Sequence, residues 1–239
     1  MDLIKACKRH DTKEALDLIM NNDTKLDIVD YLGGTALIYA CRFEMKEVAL
    51  ELIKTGHANL GQVDNFGCTA FIWACSRRMT EVALELIKTG HANLGQVNNF
   101  GSTALIWACR HGMKEVTLEL IKMGYVKPDH IDKYDNMTLI FACQNEETEV
   151  ALELIKTGKF NPDYIDKNGN TVMMLVFDQY IEEVVLELIK MGYANPDHID
   201  KDDNTVLIWA CHNGMTEVAF ELIKTGHAQI RTVLSSLSM

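Results

Sequence analysis

The sequence predicts an all-α repeat solenoid of about seven repeats, each 34 residues long. Three columns of residues recur at this spacing: an alanine, a glutamate and a glycine. The alanines, which mark the first helix of each repeat, are Ala6, Ala40, Ala74, Ala108, Ala142 and Ala210, with Val176 at the remaining position. A period of this length, kept along a whole chain, is typical of stacked supersecondary units.

The apolar pattern within one repeat explains why the repeats must stack. In residues 102–124, Leu105 and Cys109 share one side of the first helix, whereas Trp107 and Arg110 share the opposite side. The second helix of this stretch is apolar over more than half of its circumference. One partner helix cannot cover such a surface, so each repeat needs a copy of itself on either side.

A short segment at the start of the first helix identifies the kind of repeat. Its variants are GGTALIYAC, GCTAFIWAC, GSTALIWAC, NMTLIFAC, GNTVMMLVF and DNTVLIWAC. They resemble the G-x-T-P-L-H-x-A signature of ankyrin repeats, and the resemblance covers residues 1–228. It implies a helix-turn-helix and a β-turn finger in each repeat. The chain departs from the signature, because Ala36 and Ile38 replace its proline and histidine, and the period is 34 rather than about 33.

The period sets the expected boundaries. A capping repeat spans 1–32, and further repeats span 33–66, 67–100, 101–134, 135–168, 169–202 and 203–228. The repeat 169–202 is atypical, because Val176-Phe177 replaces the usual Ala-Cys and Tyr180 stands where a glycine usually turns. The tail, residues 229–239, places apolar residues at helical spacing. This pattern favours a helix that caps the last repeat over a partner-binding peptide.

Charge and hydropathy argue against several classes of function. The chain has 34 acidic and 23 basic residues and a net charge of -11, which disfavours general nucleic-acid binding. No hydrophobic run approaches the roughly 18 residues that a transmembrane helix requires, and the N-terminus lacks a signal-peptide layout. We therefore expect the protein to be a cytoplasmic monomer that binds neither nucleic acid nor membranes.

The cysteines are expected to be structural. Six of the seven follow the alanine column on the core side of the first helix, namely Cys7, Cys41, Cys75, Cys109, Cys143 and Cys211. Neighbouring copies would lie about 8–10 Å apart, too far for disulfides, and the chain has no C-x-x-C pair for zinc. Cys68 lies in a turn and is expected to be an exposed thiol. His130 and His198 are expected to be exposed loop histidines, and we expect no metal and no cofactor.

The resemblance also implies a class of function. Ankyrin repeats dock partner proteins in a concave groove, so we expect a non-catalytic protein–protein interaction module. The alternative is a substrate adaptor for a host ubiquitin-ligase complex, and an enzyme is the least favoured reading. Residues 48–63 and 82–97 are identical, and in style the repeats resemble the expanded ankyrin proteins of amoeba-infecting giant viruses such as mimiviruses. A viral origin would place the protein in the host cytoplasm.

A column of aromatic residues on the first helices, with neighbouring arginines and finger residues, supplies the candidate partner-binding site. The candidates are Tyr39, Arg42, Phe66, Trp73, Arg77, Arg78, Phe100, Trp107, Arg110 and His111. Aromatic and arginine side chains are the usual anchors of interfaces. Because these arginines make the N-terminal half of the face basic in an acidic protein, we expect the partner to present an acidic segment. The alternative is that the aromatic column is framework packing between neighbouring helices.

Overall fold

The computed structural model describes residues 2–21, 24–124, 138–158, 164–177, 179, 181–193, 195 and 197–224. Within these ranges the regular structure consists of fourteen α-helices and two isolated β-bridges. The helices are α1 (Asp2–Lys8), α2 (Thr12–Met20), α3 (Ala36–Arg42), α4 (Lys46–Lys54), α5 (Ala70–Ser76), α6 (Thr80–Thr89), α7 (Ala104–Arg110), α8 (Lys114–Lys122), α9 (Thr138–Gln144), α10 (Thr148–Lys156), α11 (Val172–Phe177), α12 (Glu182–Lys190), α13 (Val206–His212) and α14 (Thr216–Lys224). The tail 229–239, together with His130 and Tyr180, lies outside the described residues.

The helices form two lobes, and each lobe is a stack of helix pairs. The N-terminal lobe contains α1–α8 and the C-terminal lobe contains α9–α14. In the N-terminal lobe the first helices α1, α3, α5 and α7 are successive neighbours, as are the second helices α2, α4, α6 and α8. The C-terminal lobe repeats this order in α9, α11, α13 and in α10, α12, α14. The predicted all-α repeat solenoid is therefore confirmed.

Five of the seven first helices begin directly after a threonine that caps them. The threonine backbone is extended, and its hydroxyl oxygen accepts a hydrogen bond from the N–H three residues later. Such a cap contributes about 1 kcal/mol to a helix, which matters because most of these helices have only seven residues. The capping threonines are Thr35, Thr69, Thr103, Thr171 and Thr205.

Neighbouring fingers of the N-terminal lobe are hydrogen-bonded to one another. The backbone N–H of Asn65 donates to the Leu32 carbonyl, and that of Asn99 donates to the Phe66 carbonyl, both at 2.9 Å. The side-chain amide of Asn99 also donates to the Asn65 carbonyl at 2.9 Å. These bonds fix the spacing of the fingers beside the helix stack.

The expectation that His198 is an exposed loop histidine is wrong. In the C-terminal lobe its Nε2 lies 2.6 Å from the carbonyl oxygen of Gly169, and the ring is half-buried. Gln62, at the equivalent position of the N-terminal lobe, donates to the Gly33 carbonyl at 3.2 Å. At this position Gln62 and His198 both reach the glycine of the preceding finger.

The cysteine column is buried as predicted, except at its last member. Cys211 is exposed, because among the described helices α13 has a neighbouring first helix on one side only. The expectation for Cys68 is also wrong: it is 3% exposed, and its sulfur accepts a bond from the Asn98 amide at 3.5 Å. Burial raises the pKa of Cys68 to about 11 and that of Cys7 to about 12.

A thiol reagent should therefore distinguish Cys211 from the other cysteines. We expect rapid labelling of Cys211 in the native protein and slow labelling of Cys68 and the buried column, since a buried thiol is neither accessible nor ionised at neutral pH. Mass spectrometry of the labelled peptides measures this directly. The Cys211→Ser variant is the control and should lose the rapid phase. Rapid labelling of Cys68 in that variant would contradict the packing of its finger.

Candidate interaction site

The candidate residues of the N-terminal lobe lie on the side of the first helices opposite the cysteine column and on the adjoining fingers. Tyr39, Trp73 and Trp107 are equivalent residues of α3, α5 and α7. We call the following group the arginine–aromatic face: Arg42, Phe66, Trp73, Arg77, Trp107, Arg110 and His111.

In three of the described fingers, an aspartate at the base holds the aromatic side chain nine residues later; these aspartates are Asp30, Asp64 and Asp200. Tyr39 donates its hydroxyl to Asp30 Oδ2 at 2.8 Å, and Trp73 donates its indole N–H to Asp64 Oδ2 at 2.8 Å. The other oxygen of Asp64 accepts the backbone N–H groups of Phe66 and Cys68. One carboxylate thus joins the finger to the first helix. Tyr39 is only 4% exposed, so it supports the face from beneath, whereas Trp73 is half-buried.

Asn98 breaks this pattern in the third repeat. Its Oδ1 accepts from the backbone N–H groups of Phe100 and Ser102, as the Oδ1 of Asp64 does one repeat earlier. The second atom of the Asn98 side chain is an NH₂ group, which can only donate. The indole N–H of Trp107 is consequently buried without a hydrogen-bond partner.

Exchanging the two side chains should move stability in opposite directions. Asp64→Asn should lower the free energy of unfolding by about 1–3 kcal/mol, because it leaves the Trp73 N–H buried and unpaired. Asn98→Asp should raise it by up to about 1 kcal/mol, because Trp107 gains an acceptor, which outweighs the loss of the weak bond from the Asn98 amide to the Cys68 sulfur. Urea unfolding of the two isosteric variants measures both changes. A loss of stability in both variants would show that the repeats do not use this position equivalently.

Arg42 is held by three aromatic rings. Its guanidinium carbon lies 5.0 Å from the ring centre of Phe66, 5.1 Å from that of Trp73 and 5.7 Å from that of Phe43. Phe66 in turn meets Trp73 edge to face, with ring centres 6.3 Å apart. Cation–π contacts of this kind restrain the planar guanidinium group, and its N–H groups, which lie in that plane, can still donate hydrogen bonds.

Arg77 and Arg110 are the more exposed cations of the face. The guanidinium of Arg77 lies 5.9 Å from the centre of Trp73, and that of Arg110 lies 5.4 Å from the centre of Trp107. Arg77 also approaches Glu44 at 3.8 Å, an exposed ion pair that contributes little in water. The two indoles therefore position two positive charges toward solvent.

His111 adds an aromatic surface rather than a charge. Its ring stacks on Trp107, with centres 5.8 Å apart and planes 19° apart. Burial lowers the pKa of His111, and the nearby charges of Arg78 and Arg110 lower it further, so the ring is neutral at pH 7.

The remaining two candidates, Arg78 and Phe100, lie at turns beside the face. Arg78 is exposed at the left-handed turn after α5, with a φ of 57°. Phe100 lies at the next finger tip and is 45% exposed.

The cations of the capping repeat are already paired. Lys8 donates to Asp30 at 2.6 Å, and Arg9 forms an ion pair with Glu14. Burial alone would raise the pKa of Asp30, but its hydrogen bonds from Lys8, Tyr39 and two backbone N–H groups lower the pKa overall. The cations beside the aromatic column from α3 to α7 are Arg42, Arg77, Arg78 and Arg110.

The comparisons with known proteins agree with this architecture. A family model described as "Ankyrin repeats (3 copies)" matches residues 3–94, 79–163 and 139–232. The chain belongs to the ankyrin repeat family. Ankyrin repeat domains are generally protein–protein interaction modules. Among proteins with curated descriptions, none matches this ankyrin repeat chain significantly.

Two solved ankyrin repeat structures are similar to the chain. The ankyrin repeat domain of Bcl-3, described as a unique member of the IkappaB protein family, has a TM-score of 0.61 at 23% sequence identity; the match covers 87% of this chain and 93% of that one. The ankyrin repeat domain of human ASB11 has a TM-score of 0.60 at 20% identity, covering 93% and 96%. At these identities the similarity shows the fold alone.

Two absences among the described residues bear on the site. No group of three or more histidine, cysteine or acidic residues gathers there in an arrangement that could hold a metal ion. None of the described helices combines the length and the apolar character needed to cross a bilayer.

Proposed function

We propose that the protein is a non-catalytic docking module that binds an acidic segment of a partner protein on the arginine–aromatic face, in the concave groove typical of ankyrin repeats. The observation that carries this proposal is the placement of Arg77 and Arg110 over Trp73 and Trp107 in a protein of net charge -11. A cationic patch on an otherwise acidic protein attracts acidic segments of a partner and sets where on the surface they dock.

The indoles reduce what binding costs. Ordering a long side chain at an interface costs about 0.5–1.5 kcal/mol, and an arginine already resting on a ring loses less freedom. The guanidinium group can then bind a carboxylate by donating two parallel hydrogen bonds to it, which a lysine cannot do. Trp73, Trp107 and Phe100 supply apolar area next to these charges, and arginine with tryptophan is the usual composition of interface hot spots.

The alternative considered from the sequence, framework packing, is compatible with this proposal. Tyr39 and the indole N–H of Trp73 are bonded to the fingers and hold the lobe together. The ring of Trp73 also carries the guanidinium groups of Arg42 and Arg77. We therefore assign Tyr39 a supporting role alone, whereas Trp73 and Trp107 both support the arginines and contribute to the partner contact. The buried free thiols fit the reducing cytoplasm expected for the protein.

Reversing two charges tests the docking face. The paired change Arg77→Glu and Arg110→Glu should weaken partner binding at least about 100-fold, since hot-spot residues contribute about 2 kcal/mol or more each. The matched control is Lys54→Glu with Lys88→Glu, which changes the net charge equally at exposed ion pairs on the second helices. Both variants should unfold at the same urea concentration as the unchanged protein.

The measurement is capture of partner proteins from host lysate, followed by titration of the captured partner. Binding lost in the control as well would indicate a non-specific charge effect, and binding kept by the Arg77→Glu, Arg110→Glu variant would exclude this face. Recovery of ubiquitin-ligase subunits with the partner would favour the adaptor role. A single partner without ligase subunits would favour simple docking or sequestration.

A further inference from the structure

The cations of the arginine–aromatic face recur once per repeat. Arg42 and Arg110 occupy equivalent positions of α3 and α7, and Ser76 occupies that position of α5 with Arg77 directly after it. The three helices are successive neighbours in the N-terminal lobe. Packed helices lie about 8–10 Å apart, so the three arginines recur along the lobe at roughly this step, with Arg77 displaced by one residue along its chain.

Few peptide conformations match a row of charges with that step. A polyproline II helix rises about 3.1 Å per residue with three residues per turn, so every third side chain lies on the same side at a step of about 9.3 Å. In a β-strand, side chains three residues apart point to opposite faces. An α-helix matches only with a spacing of seven residues, which corresponds to about 10.5 Å.

The rings of the face favour the polyproline II match over the α-helix. Trp73 and Trp107 lie beside the cations at the same step, and Phe66 and Phe100 stand on the adjoining fingers. Surfaces lined with aromatic rings bind polyproline II segments, because proline rings pack on them and the segment is already ordered before binding. Two residues between successive acids would then contact these rings.

On this basis, which rests on the proposed function, we propose that the face binds a polyproline II segment with an acidic residue at every third position. Successive carboxylates pair with Arg42, Arg77 and Arg110. The residues between them pack on Trp73 and Trp107. The spacing of the acids, and not their number alone, determines the affinity.

Synthetic peptides test the spacing. The probe is a fluorescent peptide of four Glu-Pro-Pro triplets, measured by anisotropy at low salt. Its control has the same four glutamates and eight prolines, with the glutamates at every second position, so that charge and conformation are unchanged. A second control is an alanine-rich helical peptide with four glutamates seven residues apart. We expect the triplet peptide to bind at least tenfold more tightly than either control.

The charge-reversed protein separates this inference from the proposed function. The Arg77→Glu, Arg110→Glu variant should lose the triplet peptide, whereas Lys54→Glu with Lys88→Glu should keep it. If all three peptides bind equally to the unchanged protein and are lost in the charge-reversed variant, the spacing is wrong and acidic docking stands. Tighter binding of the helical peptide would also overturn the spacing, and so would the failure of all three peptides to bind. Equal binding that survives charge reversal would overturn both proposals.

Discussion

Replacing Phe71 with alanine should lower the free energy of unfolding by about 3–5 kcal/mol. Phe71 is 0% exposed and is among the largest fully buried side chains. It belongs to α5, which packs against α3, α6 and α7 in the N-terminal lobe. Its removal therefore leaves a cavity surrounded on several sides, and stacked repeats take most of their stability from such neighbouring contacts.

Phe220→Ala is the matched control for this prediction. Phe220 belongs to α14, the last described helix of the C-terminal lobe, and is 60% exposed. Its truncation should change stability by no more than about 0.5 kcal/mol, as is usual for surface positions. Urea unfolding followed by circular dichroism measures both variants. Losses of equal size would contradict the assignment of Phe71 to the core and of Phe220 to the surface.

The fold could be predicted from the sequence because every repeat must cover the apolar sides of two short helices and does so with the same residue pattern. The threonine caps, the apolar sides and the alanine column recur every 34 residues, so each repeat confirms the interpretation of the others. Burial at the ends of a stack depends instead on which neighbour is present. Cys211 follows the column yet is exposed, whereas Cys68 lies off the column and is covered by Asn98 of the next finger.

The candidate site could be predicted only in part. The sequence places the arginines and aromatic residues on one side of the first helices, but it does not show that Arg42 rests on Phe66 of a separate finger. The bond between Asp64 and Trp73 had a visible signal, since an aspartate precedes an aromatic residue by nine positions in several repeats. Asn98 replaces the aspartate nine positions before Trp107. That the Trp107 N–H is buried without a partner could be seen only from the positions of the side chains.

Gly67→Ala should be the most damaging single substitution in the fingers, lowering the free energy of unfolding by about 2–5 kcal/mol. Gly67 has a φ of 76°, a left-handed conformation that disfavours side chains. A methyl group there would also lie 2.8 Å from the backbone nitrogen of Asn99 and 3.0 Å from the Cα of Asn98. The next finger would have to move, which would weaken the hydrogen bond from Asn99 to the Phe66 carbonyl.

Gly90→Ala separates backbone strain from the close approach of the fingers. Gly90 has a similar φ of 71°, but a methyl group there would meet nothing within 4 Å. Its substitution should cost about 1 kcal/mol, because the left-handed strain is partly offset by the smaller entropy of the unfolded chain. The chain itself places Asp203, with a φ of 60°, at the position of its last described finger that is equivalent to Gly67. If urea unfolding showed equal losses for Gly67→Ala and Gly90→Ala, the contact between fingers would not be what requires glycine at position 67.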